Sequence, residues 1–129
     1  MRVNFFDDPS QAPKPREEVR LRRLGLYIYP DKRRVAVGFD LTPFLEGPSI
    51  EVSMRNNLGQ QAASLNVIET NQQKFSLTLH LRDAQPTEQY HLQVILYYAK
   101  PGEEKLIADQ QTAIFTVSQP GEQIIYQTG

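Results

Sequence analysis

The sequence contains no cysteine and no tryptophan. Without cysteine there can be no disulfide, no thiolate metal ligand and no thiol nucleophile. Without tryptophan the strongest stacking side chain is missing, which weighs against sugar recognition on an aromatic platform. Long apolar runs are absent too, and nothing approaches the ~20 apolar residues of a membrane span. The opening Met1-Arg2-Val3-Asn4-Phe5-Phe6 is too short for a signal peptide and runs straight into Asp7-Asp8, so a cytoplasmic location is expected. No window shows the apolar spacing of three and four that marks an amphipathic helix. Neither a glycine-rich phosphate loop nor a Gly-x-Ser-x-Gly elbow occurs.

What remains is a chain of 129 residues, 40% hydrophobic and 22% charged, which is the size and composition of one globular domain. Its net charge of −1 is unevenly spread: residues 1–34 carry +4 and the remainder −5. Residues 1–18 read as an extended arm. Pro9, Pro13 and Pro15 lack amide donors, and the surrounding polar residues offer little to bury. The apolar tip Val3, Phe5 and Phe6 suggests that the arm docks onto the domain or onto a neighbour.

From residue 19 the chain alternates with a period of two, the signature of strands with one buried face. The inward sets are Leu24, Leu26, Ile28; Val35, Val37, Phe39, Leu41; Ile50, Val52, Met54; Leu65, Val67; Phe75, Leu77, Leu79, Leu81; Tyr90, Leu92, Val94, Leu96, Tyr98; and Ala113, Phe115, Val117. Turn residues separate them, among them Pro30-Asp31, Gly47-Pro48, Asn56-Asn57-Leu58-Gly59 and Pro101-Gly102. Val19 and Leu21 are out of phase with Leu24, so a bulge or a sheet switch is expected near Arg22-Arg23. The expected fold is all-β, an antiparallel Greek-key sandwich of about seven strands over residues 19–118. Residues 119–129 read as a short tail.

The stretch Ala84-Gln85-Pro86-Thr87-Glu88-Gln89-Tyr90-His91-Leu92-Gln93-Val94 resembles the entry to strand F of fibronectin type III domains. There a proline precedes a tyrosine by four residues. Val35-Ala36-Val37-Gly38-Phe39 looks like strand B of that family, with Phe39 at the place of the usual core tryptophan. The resemblance spans residues 19–118. It implies an immunoglobulin-like sandwich in which Tyr90 is a tyrosine corner, its hydroxyl bonded to nearby backbone. Ala84 stands where the family has leucine.

Catalytic constellations are missing. His80 and His91 have outward parity, and a zinc site needs three or four ligands. None of the serines sits with an oriented base. The carboxylate pairs Asp7-Asp8, Glu17-Glu18 and Glu103-Glu104 are sequence neighbours, which face opposite sides of a strand. No enzyme activity, cofactor or metal is therefore expected.

Binding is the expected role. Ile95 and Tyr97 on one strand and Ile114 on the next have outward parity, and hairpin neighbours bring them together. Tyr27 and Tyr29 also face outward. With Phe5 and Phe6, these residues form the candidate interface for a protein partner or a second copy of the chain. The arm or the tail of the same chain is the alternative cover, and exchanged arms in a dimer would combine the two. Carbohydrate stacked on Tyr27, Tyr29 or Tyr97 is a second reading. Anion or nucleic-acid binding by Arg20, Arg22, Arg23, Arg33 and Arg34 is a third. Interspersed acids and the acidic remainder argue against nucleic acid, and edge protection by strand charges explains the same cluster.

Overall fold

The computed structural model describes residues 12–121 and 123–127. Eight strands form two four-stranded antiparallel sheets. They are β1 (Leu21–Ile28), β2 (Arg34–Leu41), β3 (Ser49–Asn56), β4 (Gln61–Val67), β5 (Lys74–His80), β6 (Gln89–Tyr98), β7 (Leu106–Thr116) and β8 (Gln123–Gln127). The first sheet has the order β5-β2-β1-β8 and the second β4-β3-β6-β7. The β4–β5 and β5–β6 connections cross between sheets, so β6 pairs with β3 rather than with β4. This is the non-local pairing of a Greek-key sandwich.

The period-two pattern explains the layering. Leu24, Leu26, Ile28, Val35, Val37 and Phe39 point inward from the first sheet and Ile50, Val52, Met54, Leu92, Val94 and Leu96 from the second, all buried in one core. The expected bulge is present: the β1–β2 register shifts between Leu21 and Arg23. The extra residue lets Leu21 and Leu24 both reach the core although their parity differs.

The C-terminus differs from the sequence reading. Residues 123–127, expected as tail, form β8 antiparallel to β1 and raise the strand number to eight. Without β8, one edge of β1 would present a row of unpaired backbone groups. The break at Gln119-Pro120-Gly121 is the turn that makes this possible. Gly121 has a positive φ of 83°, and its N–H donates to the Ile28 carbonyl at 2.7 Å. Of the arm, residues 12–18 lie against the β2–β3 connection. Lys14 bridges Phe44 in parallel, and Arg16–Glu18 form one 3₁₀ turn. The tip residues Val3, Phe5 and Phe6 lie outside the described residues.

Candidate interaction faces

The outer face of the second sheet brings together some of the expected interface residues and separates others. Ile95 and Tyr97 point outward from β6, as their parity requires. The register pairs Ile95 with Gln110, Tyr97 with Ile107 and His91 with Ile114. Ile114 therefore sits four positions along β7 from the partner of Ile95, about 13 Å at the strand rise. The contiguous apolar row is Ile95, Tyr97 and Ile107, with Ile107 52% exposed and Ile114, 53% exposed, standing apart. A β6–β7 register shift between Leu96 and Tyr97 brings Ile107 to this face. Parity counted back from Ala113 and Phe115 could not include that shift. The apolar run Leu106-Ile107-Ala108 is the only sequence signal for it.

Tyr97 faces outward but is only 8% exposed. Its ring lies along the sheet. Its hydroxyl donates to Asn66 Oδ1 at 2.9 Å, and the Lys105 ammonium sits 4.5 Å from the ring centroid. The β8 segment runs on the first sheet, so it does not cover this face. On the first sheet Tyr27 and Tyr29 pack edge to face at 5.1 Å, with the Arg34 guanidinium 4.4 Å from the Tyr29 centroid. With Arg34 and Lys105 occupying ring faces of Tyr29 and Tyr97, these two tyrosines offer little platform for a sugar.

The arginine cluster is divided among separate partners. Arg20 donates to the carbonyls of Glu17 at 2.7 Å and of Val19 and Ala108 at 2.9 Å. The Ala108 bond caps a carbonyl on the edge of β7, and Tyr126 does the same for Ile114 at 3.1 Å. Both block strand addition there. Arg23 pairs with Asp40 at 2.6 Å, Arg33 with Asp83 at 3.3 Å and Arg34 with Asp31 at 2.7 Å. Arg22 is half-buried and also engaged. Guanidiniums satisfied in this way have fewer donors left for phosphate.

Two polar clusters brace opposite ends of the sandwich. At one end Glu46 accepts from Arg16 at 2.8 and 2.7 Å and pairs with Lys100 at 2.5 Å, while Arg16 also reaches Glu103 at 3.0 Å. Hydrogen bonds from Arg16 and then Lys100 hold the Glu46 carboxyl down at about 2, and the bonds to Glu46 and then Glu103 raise the Arg16 guanidinium. Burial, followed by the Glu46 charge, pushes the Tyr98 phenol up to about 12. This latch ties residues 14–18 to the β2–β3 and β6–β7 connections. At the other end Asp83 Oδ2 accepts from Tyr90 Oη at 2.9 Å and from Asn56 Nδ2 at 2.8 Å. Burial pushes the Asp83 carboxyl up, but the bonds from Asn56, Tyr90 and backbone and the Arg33 charge carry it below its ordinary value. The Tyr90 hydroxyl thus donates to a side chain seven residues upstream and accepts from the Thr87 backbone, the nearby-backbone bond that the resemblance implied. The local sequence marked Asn56 only as a turn residue and did not single out Asp83.

His80 and His91 are exposed on different sheets. Among the described residues no three His, Cys, Asp or Glu side chains come together as a metal site, and no helix is long and apolar enough to cross a membrane. No protein-family model matches the chain, and none of the curated proteins is similar enough to count as a relative.

Proposed function

We propose that this chain is a non-catalytic, immunoglobulin-like binding module that docks a protein partner, or a second copy of itself, through the β6–β7 outer face. The observation that carries the reading is the row Ile95, Tyr97 and Ile107, in which a half-exposed isoleucine stands beside a braced aromatic ring. A rigid aromatic with one exposed and one partly exposed aliphatic neighbour costs little entropy on burial and suits the centre of an interface. The outward Gln93, Gln110 and Thr112 on the same strands supply a polar rim. The fibronectin type III likeness draws support from sheet membership: β2 and β6, the strands that carry it, lie in opposite sheets, and Tyr90 stands near the start of β6.

Paired Ile95→Asp and Ile107→Asp substitutions test the reading while sparing the Tyr97 hydrogen bond. Sedimentation velocity over a concentration series, with cross-linking in a host lysate, reads the outcome. The substituted protein is expected to lose self-association or partner capture while keeping its melting temperature. Wild-type assembly and capture in the substituted protein would refute the proposal, as would a wild type that neither associates nor captures any protein.

A further inference from the structure

A hollow on the outer face of the first sheet is lined by residues outside the proposed interface. Gly25 on β1 faces Gly38 on β2 across the ladder. A Cβ at either position would come no closer than 3.9 Å to its surroundings, so tight packing does not demand glycine there. The missing side chains instead leave the strands bare and open a cavity of about 280 Å³. Arg23, Asp40 and Lys74 form one cross-strand row at its end, and Gln123 and Ile125 of β8 form its side wall.

Asp40 is the anomaly. Its side chain is only 9% exposed, and its Oδ2 accepts from Arg23 Nε at 2.6 Å. Its Oδ1 is buried without a hydrogen-bond partner among the described residues. An unpaired carboxylate oxygen inside a protein is costly and rare, and it points to a donor that the described residues do not supply. Beside it Lys74 has no ion-pair partner among the described residues. The row therefore offers one unused acceptor between two cations with spare donors.

Three ligand chemistries can be compared on that row. A simple anion satisfies Arg23 and Lys74 but leaves Asp40 Oδ1 unpaired. A simple cation satisfies Oδ1 but faces two like charges. A pair of neighbouring hydroxyls does both, since each hydroxyl donates once and accepts from elsewhere. Drug-sized ligands occupy about 300–1,000 Å³, so this cavity is suited to a single ring. The geometry points to a sugar site: a hexose-sized ring lies over Gly25 and Gly38 against Ile125, donates a hydroxyl proton to Asp40 Oδ1 and accepts from Arg23 and Lys74. Oδ1 is buried, so the ring must displace a neighbouring group to engage it, and Arg23 and Lys74 flank Asp40 across the ladder. Both are long side chains with exposed ends.

Amide NMR spectra of the full chain, titrated separately with the methyl glycosides of glucose, galactose, mannose and glucuronic acid and with sulfate, test the site. At least one glycoside is expected to give saturable shifts centred on Gly25, Gly38, Asp40, Lys74 and Ile125. Asp40→Asn should weaken that binding roughly tenfold, the loss of one charge-assisted hydrogen bond. Gly38→Val, which fills the floor, should abolish it; if that variant does not fold, Asp40→Asn decides alone. No saturable shift with any glycoside, shifts centred elsewhere, a response to sulfate only, or an unchanged affinity in Asp40→Asn would each overturn the proposal. The site lies on the sheet opposite to Ile95 and Ile107, so the two proposals stand or fall separately.

Discussion

Replacing Tyr90 by phenylalanine removes one hydroxyl and leaves the ring, which stacks on Phe115 at 5.7 Å with an 18° interplanar angle. The lost bond is the 2.9 Å donation to Asp83 Oδ2, whose side chain is fully buried. Hydrogen bonds to charged groups contribute about 1.5–3 kcal/mol, and the carboxylate keeps Asn56 at 2.8 Å and Arg33 at 3.3 Å, so a loss of about 2 kcal/mol is expected. For a domain of this size that is a fall of roughly 8 °C in melting temperature. Urea unfolding followed by far-UV circular dichroism suits a protein without tryptophan. The sharper test is a double-mutant cycle with Asp83→Ala. Once Asp83 is gone the hydroxyl has no charged acceptor, and Tyr90→Phe should cost about 1.5 kcal/mol less than in the wild type. The Asp83 carboxyl is held below its ordinary value in the fold, so its contribution is complete above the unfolded carboxylate range and fades as pH falls through the lowered value. The gap between wild type and Tyr90→Phe should therefore narrow in acid. Equal costs of Tyr90→Phe in both backgrounds would refute the Asp83 assignment and favour a backbone acceptor.

Gly47→Ala should destabilise by about 3 kcal/mol or more in the same assay, because a Cβ there would lie 1.8 Å from the Thr70 carbonyl oxygen and force the β2–β3 and β4–β5 connections apart; a cost below about 1 kcal/mol would contradict that packing. The Glu46 carboxyl, titrated by ¹³C NMR, should show a midpoint of about 2 rather than 4.5. Its stabilising effect on residues 14–18 holds above the ordinary carboxylate range and is lost as pH falls toward that midpoint, so an ordinary midpoint would mean that the Arg16–Glu46–Lys100 latch does not form.

Alternation made most of the core legible, because a side-chain period of two maps parity directly onto the two faces of a strand. Leu24, Val37, Val52 and Leu92 needed nothing more. The β1 bulge was legible for the same reason, as a break in parity between Leu21 and Leu24. Ile107 was not, because the β6–β7 register shift leaves no mark in spacing until the partner strand is known. The braces were hidden for a related reason: Asp83 and Asn56 are 27 residues apart, and Arg16 and Glu46 are 30 apart. No local pattern reports such meetings.

By itself the sequence determined that this is an all-β sandwich with a buried alternating face, and, apart from the segment beyond the β6–β7 register shift, which side chains point in. Those properties follow from the polarity of each residue and its strand neighbours. The tertiary structure decided what the outward residues do. It separated Ile114 from Ile95 and laid Tyr97 against the sheet. It gave each of Arg20, Arg23, Arg33 and Arg34 an acceptor, turned the expected tail into β8, and left Asp40 Oδ1 without a partner among the described residues, near two facing glycines. Each outcome depends on register and on pairings between distant segments. Those are set by the packing of the whole core and by the need to satisfy backbone groups at every strand edge.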